Sequence, residues 1–457
     1  MGKKIVIIGG GPGGYTAAIR AAQLGAEVTL AEARDIGGTC LNVGCIPTKA
    51  LLHTSEFYYK LKTNAVAGVS AEGITFDWQA AQSRKEQVVG RLAAGVGALL
   101  RHNGVRVLQD KALPMPDGHV KIGSEIIAAD AVILATGSVS AELNFPGNDL
   151  PGVIGSAGAL SLGETPGTIV IVGGGVIGIE FATLFSQLGA KVTLLEMLPQ
   201  ILPPMDPDVS AFLREMLENG GVDIHTGAAL KNVAKAQSGF TACFDENGAV
   251  QTVHADAVLI AIGRKPNTTG LGLDELGVRL NKGAVMVDEC FRTNMPNLYA
   301  VGDCNGLNML AHAAMAQGVA AAGHIMGVPK RYNPKTIPSC VYSYPEIAAV
   351  GLTEKQARDA GMDYSVGIFD LGGNGKSLID GAGGGFVKII ADKTLGEVLG
   401  VHIIGLRATE LISEAALCMN MEGTVEDIVN SVHAHPTVSE AIVEAAMSVF
   451  GKPIHGI

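Results

Sequence analysis

Ile5-Val6-Ile7-Ile8-Gly9-Gly10-Gly11-Pro12-Gly13-Gly14 opens the first legible unit of the chain. Four consecutive apolar residues suit a strand buried on both faces of a parallel sheet. The glycines at 9, 11 and 14 then have the spacing by which a strand turns into a helix around a dinucleotide pyrophosphate. The first permits the tight turn, the second lets a phosphate approach, and the third lets helix pack on strand. An Ala-rich helical stretch runs to Gln23-Leu24-Gly25, and a second strand, Glu27 to Leu30, leads to Glu32. That acid lies 23 residues beyond Gly9, where a carboxylate can accept hydrogen bonds from a ribose.

The unit recurs. Val170-Ile171-Val172 leads into Gly173-Gly174-Gly175-Val176-Ile177-Gly178, then a helix through Gln187-Leu188-Gly189 and a strand ending at Glu196. A shift of 164 residues superimposes Gly9 on Gly173, Gly11 on Gly175, Gly14 on Gly178 and Glu32 on Glu196. Two complete units imply two dinucleotides. Two further buried strands match each other: Asp130 to Ala135 ends in the turn at Gly137, and Asp256 to Ile262 ends in the turn at Gly263. Each is expected to close its nucleotide domain and pass backbone near the ligand.

Eight residues after Glu32 comes Cys40, in the stretch Gly37-Gly38-Thr39-Cys40-Leu41-Asn42-Val43-Gly44-Cys45-Ile46-Pro47-Thr48-Lys49. A helix opening near Thr39 would put Cys40 at its N-terminus, where the macrodipole lowers a thiol's pKa. Two thiols this close can join in a disulfide that another thiolate reopens. The alternative is a pair of buried cysteines packed as small hydrophobes. Seven cysteines and no disulfide framework favour redox chemistry for the pair at 40 and 45. Thiols couple poorly to a nicotinamide directly, whereas a flavin accepts electrons from a dithiol and passes them on as hydride. FAD therefore belongs on the first unit and the nicotinamide on the second. Glu196 favours a free 2′-hydroxyl, and Met197-Leu198-Pro199-Gln200 offers no cation for a 2′-phosphate, so NAD is preferred over NADP.

Farther on, Asn297 to Asp303 reads as a short strand ending in Gly-Asp. Asp303 is placed there to bind a ligand hydroxyl or to cap a helix. A small-residue helix follows from Ala311. It is the nearest approach to a long apolar segment, but His312, Gln317 and His324 mark it as a buried helix rather than a membrane span. From about Thr336 the texture becomes short β-like runs and two helical segments, about 409–421 and 437–448, with a short helix starting at Thr424 to Ile428. This predicts an antiparallel α+β domain. It contains His433-Ala434-His435-Pro436-Thr437-Val438-Ser439-Glu440, in which Glu440 could orient the His435 imidazole as a base; a lone histidine is otherwise a surface or capping group.

The fold class expected is α/β, with two Rossmann-like dinucleotide domains (FAD and NAD) and a C-terminal α+β dimerisation domain. The division is 1–147 for the first part of the FAD domain, 148–268 for NAD, 269–335 for a central part and 336–457 for the interface. Crossings are expected at Pro146 to Pro151 and Lys265 to Gly270. With 457 residues and 47% hydrophobic content, several cores are expected, and a net charge of −11 argues against nucleic acid or anionic membrane as partners. The N-terminus lacks a signal-peptide cleavage site, so a cytoplasmic location is expected.

Taken together, the GGTCLNVGCIPTK segment, both glycine fingerprints, Glu180 in VIGIE, the VGD and LAH segments and HAHPTVSE resemble the disulfide-reductase flavoproteins, most closely the dihydrolipoamide dehydrogenases, over nearly the whole chain. The resemblance implies roles. Cys40 is the interchange thiol that meets substrate, and Cys45 lies against the flavin. Lys49 sits beside the flavin and pairs with Glu180. Asp303 holds the ribityl chain, Ala311 lends backbone to the ring, and Gly38, Thr39, Ala112, Gly137 and Gly263 add cofactor contacts. His435, oriented by Glu440, is the base supplied to the partner subunit, which makes a homodimer. The substrate implied is dihydrolipoamide on a separate lipoyl-bearing protein, within a 2-oxoacid dehydrogenase or glycine cleavage complex with its own core subunit. One departure stands out: after Leu310-Ala311-His312 the family pattern has a lysine and later a glutamate, where this chain has Ala313 and Gln317. Relatives acting on glutathione would carry basic residues after the second fingerprint, mercuric reductases a cysteine pair at the C-terminus, and NADH oxidases only one of the two cysteines. A non-catalytic docking subunit would have no need of Cys40, Cys45, Lys49, His435 and Glu440 together.

Overall fold

A computed structural model describes residues 2–63, 68–329, 332–381 and 384–456. By its internal contacts the chain divides into two compact units. The first comprises 1–51, 79–142 and 263–332; the second comprises 52–78, 143–262 and 333–457.

The first unit is built on a five-stranded parallel sheet in the order Leu298–Ala300, Ala131–Leu134, Lys4–Ile8, Glu27–Ala31, Arg106–Leu108. The run Ile5 to Ile8 is buried on both faces, as a central parallel strand requires. One face is covered by the helices Pro12–Gln23 and Ala311–Ile325, which approach backbone to backbone. A Cβ on Gly318 would lie 2.4 Å from the Gly13 carbonyl oxygen, so glycine is needed there for helix contact. This explains the small-residue composition of the buried helix read from the sequence. The other face packs Val6, Ile8, Val132 and Leu134 against a three-stranded antiparallel meander, Ala112–Pro114, His119–Ile122 and Glu125–Ala128.

The second unit repeats the plan. Its five-stranded parallel sheet runs Asp223–Thr226, Lys191–Glu196, Thr168–Val172, Ala257–Ile260, Val153–Gly155. Here too an antiparallel meander (Ala228–Lys235, Phe240–Glu246, Ala249–Ala255) connects the third strand to the fourth. The internal repeat thus extends beyond the fingerprints to the sheet order and the crossover. The copies differ in one respect: the edge strand beside the fourth comes last in the first unit and before the first strand in the second.

The same unit holds a five-stranded antiparallel sheet, Ser339–Val341, Glu346–Gly351, Val398–Gly405, Phe386–Asp392, Tyr364–Asp370, packed against the helices Ala408–Asn420, Val425–Asn430 and Glu440–Val449. The α/β reading with a C-terminal α+β part holds. The helix read as 437–448 begins at Glu440, after a turn at Val438–Ser439. The chain passes between the two units at 51/52, 78/79, 142/143, 262/263 and 332/333. A short antiparallel pair, Arg264–Pro266 with Ser138–Ser140, ties both segments into the first unit.

Candidate active site

The two glycine turns are near copies. Gly9 and Gly173 have φ of +108° and +111°, a left-handed region that glycine enters freely. A Cβ on Gly14 would lie 1.8 Å from the Gly9 carbonyl oxygen, and one on Gly178 would lie 1.9 Å from that of Gly173. The third glycine of each turn is thus fixed by helix–strand packing. The middle glycines face open space instead: a Cβ on Gly11 would meet only Gly38 Cα at 3.9 Å, and one on Gly175 nothing within 4 Å. Neither following helix has a side-chain cap, so first-turn N–H groups remain for an anion. A cradle that a Cβ would fill, backed by uncapped N–H groups, fits a dinucleotide pyrophosphate in both places.

The two acids are also equivalent. Glu32 accepts hydrogen bonds from Gly10 N at 2.6 Å and Arg34 N at 2.7 Å; Glu196 accepts from Gly174 N at 2.7 Å and Leu198 N at 2.8 Å. Each carboxylate therefore staples its turn, a job the spacing did not reveal. Beside Glu32, a cavity of about 200 Å³ is lined by Glu32, Arg34, Asp35, Ile36, Val107 and Gln109.

Cys40 lies in the first turn of the helix Gly38–Val43, and Cys45 begins the helix Cys45–Lys62, which also carries Lys49. The short helix abuts the first glycine turn: a Cβ on Gly38 would lie 2.7 Å from Gly11 Cα. Both cysteines are thiols here. The lowered Cys40 pKa expected from the macrodipole is reversed. The hydrogen bond with Cys45 pushes the Cys40 thiol far up, burial and the charge of Cys45 add to this, and Lys49 opposes it. Two thiols that share a hydrogen bond titrate as a pair, and the pair holds its last proton hard.

Asp303 sits in the short turn Gly302–Asn305, and its side chain caps no helix. Its Oδ2 receives the Ser138 hydroxyl. Arg264 in turn donates from Nε to Ser138 Oγ at 2.7 Å and from a terminal nitrogen to the Ser138 carbonyl at 2.8 Å. Burial pushes the Arg264 guanidinium below its usual range, while Asp303 and Cys45 draw it back up. Ser138 and Arg264 were not singled out from the sequence. Their signal was weak: both follow a strand–glycine turn, and only the Ser138–Pro266 pairing brings them together. Gln317 is fully buried; its Oε1 accepts from Gly302 N and Asn305 Nδ2, both at 2.8 Å, and its Nε2 donates to the Tyr332 hydroxyl. An amide serves there as acceptor and donor at once, so the departure from the family pattern is structurally accommodated.

Gly137 and Gly263 are left-handed, at φ +69° and +112°, and a Cβ on either would meet nothing within 4 Å. Ala311 is the first residue of its helix. Ala112 is packed in the core of the meander, so only its backbone is left for a ligand. In the second unit, Glu180 is buried on the helix Val176–Gln187 and accepts from Tyr342 N at 3.3 Å. His435 and Glu440 do meet: the imidazole Nδ1 is 2.9 Å from Glu440 Oε1, while Oε2 accepts from Thr437 N at 2.8 Å. The Thr437 N–H first, and then His435, hold the Glu440 carboxyl below its usual range. The His435 side chain is 80% exposed, so its other nitrogen is open to an incoming group. Among the described residues no group of three or more metal-ligating side chains occurs, and no helix is long and apolar enough to cross a membrane.

The family model described as pyridine nucleotide-disulphide oxidoreductase matches residues 3–318, and the dimerisation domain of the same group matches 337–446. The chain belongs to this family. A dihydrolipoyl dehydrogenase of Bacillus subtilis is 42% identical over 457 residues, covering 99% of both chains. One from Geobacillus stearothermophilus is 40% identical over 98% of this chain and 97% of its own. Among solved structures, the HOCl-induced flavoprotein disulfide reductase RclA from Escherichia coli superimposes with a TM-score of 0.86 at 28% identity, over 97% of this chain and 99% of that one.

Proposed function

We propose that the chain oxidises dihydrolipoamide carried on a lipoyl-bearing protein and reduces NAD+ to NADH, as the dihydrolipoyl dehydrogenase of a 2-oxoacid dehydrogenase or glycine cleavage complex in the cytoplasm. The observation that carries this reading is the hydrogen-bonded Cys40–Cys45 pair, with Cys40 on the short helix that abuts the first glycine turn. Full-length relatives of that name support it.

The residues fit two cofactors. FAD is held in the first unit by Gly9, Gly11, Gly14, Glu32, Gly38, Thr39, Gly137, Asp303 and the backbone at Ala112 and Ala311. NAD is held in the second by Gly173, Gly175, Gly178 and Glu196. Gly263 contributes backbone, and Lys49, whose charge acts on the thiol pair, serves the flavin ring. Bound FAD supplies a two-electron acceptor for the cysteine dithiol and a hydride donor for NAD+.

The protein's own residues do the thiol chemistry. His435, oriented through Nδ1 by Glu440, takes the proton from a dihydrolipoyl thiol at Nε2, since only the thiolate attacks. That thiolate attacks Cys40 of the oxidised Cys40–Cys45 disulfide, and Cys45 leaves as a thiolate. The second substrate thiol, giving its proton to the leaving Cys40, then attacks its partner sulfur and closes the lipoyl ring. One disulfide is made and one is broken, and the first proton returns from His435 to Cys45, so the cysteines end as a dithiol. The hydrogen bond between the two thiols holds the last proton within the pair. Exposure of His435 accords with service to the cysteine pair of a second copy, in a homodimer formed by residues from about 336 onward. The test is a coupled assay on the purified protein. Dihydrolipoamide oxidation with NAD+ and much slower turnover with NADP+ are expected; rapid reduction of glutathione disulfide by NADPH without lipoamide turnover overturns the reading.

A further inference from the structure

Two residues before the proposed base stands His433, whose side chain is only 9% exposed. Its Nδ1 lies 2.8 Å from the Ser431 carbonyl oxygen and its Nε2 2.7 Å from Glu414 Oε1. A carbonyl and a carboxylate are acceptors only, so the ring stands as a bridge between two acceptors. It fastens the segment Ser431–Thr437 to the helix Ala408–Asn420, which carries Glu414. The other end of that segment is fastened separately, since Asn374 Nδ2 donates to the Thr437 carbonyl at 3.0 Å. His435 lies between the two fastenings. The charge of His433 also reaches Glu440, whose carboxyl is held low by the Thr437 N–H first and His435 next, with His433 adding to them.

We propose that His433 is a positioning residue for the base: bridged between Glu414 and the Ser431 carbonyl, it fixes the backbone from which His435 meets the substrate thiol. The inference rests on the reading of His435 as the base. It goes beyond the His435–Glu440 pair because Glu440 sets the tilt of the imidazole, whereas His433 sets where its Cα stands. Small displacements of a proton acceptor cost rate steeply, because the transfer needs hydrogen-bond reach.

The test compares His433→Gln, Glu414→Leu and Glu414→Gln with the unaltered dimeric holoenzyme. Rapid mixing with dihydrolipoamide reads the half-reaction that needs the base. NADH turnover with ferricyanide reads the half that does not, and the thermal midpoint reads folding. We expect His433→Gln and Glu414→Leu to slow the dithiol half-reaction about tenfold or more, with NADH turnover and midpoint near those of the unaltered protein. Glu414→Gln, whose amide oxygen still accepts from Nε2, should stay within about threefold. Dithiol rates unchanged in the first two variants overturn the proposal, and so does a parallel fall in both half-reactions, which marks a merely structural residue. If the unaltered protein itself is not reduced by dihydrolipoamide, the functional reading falls and this inference with it.

Discussion

The two glycines of the second turn, Gly175 and Gly178, make opposite predictions for the same small change. In Gly178→Ala the new Cβ would sit 1.9 Å from the Gly173 carbonyl oxygen, with Ile171 Cγ2 a further neighbour at 3.4 Å. An ordinary carbon contact is about 3.5 Å, so helix and strand must separate by more than an ångström along a parallel sheet that is buried on both sides. Overpacking of this kind costs about 3 kcal/mol, which in a domain of this size lowers the thermal midpoint by roughly 6–12 °C. In Gly175→Ala the Cβ meets nothing, and φ of −76° with ψ of −177° is open to any residue. Stability should change by no more than about 1 kcal/mol at this N-cap. The methyl nevertheless enters the space left for the pyrophosphate. Loss of one charge-assisted hydrogen bond, about 1.5–3 kcal/mol, weakens NAD binding about tenfold or more. The assay pairs calorimetric melting with NADH titration by fluorescence, and retention of FAD serves as the internal control. Equal destabilisation by both substitutions, or unchanged NADH affinity in Gly175→Ala, would refute the assignment of the second turn.

Two other expectations concern residues outside the glycine turns. Lys388 is 1% exposed and lies 3.1 Å from Oδ1 of the fully buried Asp206, with Asp208 and Glu354 also on it at 2.6 Å. Burial pushes the Asp206 carboxyl up, but the Glu354 N–H, His402 and Lys388 outweigh it and hold it below its usual range. That stability is present above the ordinary carboxylate pKa and is lost as pH falls through the lowered one. Lys388→Met, which strands a buried charge, should destabilise by about 3–5 kcal/mol at neutral pH. The deficit should shrink toward acid pH as Asp206 takes up a proton; denaturant melts across pH check this, and a pH-independent deficit would contradict it. Ser138→Ala removes the hydroxyl between Arg264 and Asp303, about 1 kcal/mol of hydrogen bonding, and should raise the FAD dissociation constant about fivefold in reconstitution of the apoprotein; unchanged FAD affinity would detach Ser138 from the cofactor site.

How much of this was legible beforehand depended on whether the information was local. The turn at Gly9, its copy at Gly173 and the acids at 32 and 196 are fixed by spacing within some two dozen residues, and sequence is enough for them. His435 and Glu440 also meet as spacing suggested, although the helix behind them begins at Glu440 and not at Thr437. Properties set by distant chain were harder to read. Cys40 looked activated because its helix position was visible and its bond to Cys45 was not. Ser138, Arg264 and Asp303 come from three separated segments, brought together by the short strand pair at 138–140 and 264–266. Gln317 read as a departure from the family pattern because its three hydrogen-bond partners lie 12 to 15 residues away.

In the proposed reaction, electrons from the dithiol substrate pass through Cys40 and Cys45. Mass-resolved alkylation of the air-oxidised protein under anaerobic conditions, before and after one equivalent of dihydrolipoamide, reads this. Cys40 and Cys45 are expected to resist labelling beforehand and both to be labelled afterwards, with the other cysteines unchanged. Labelling of both thiols in the untreated protein, or no gain at either after the substrate, would contradict it.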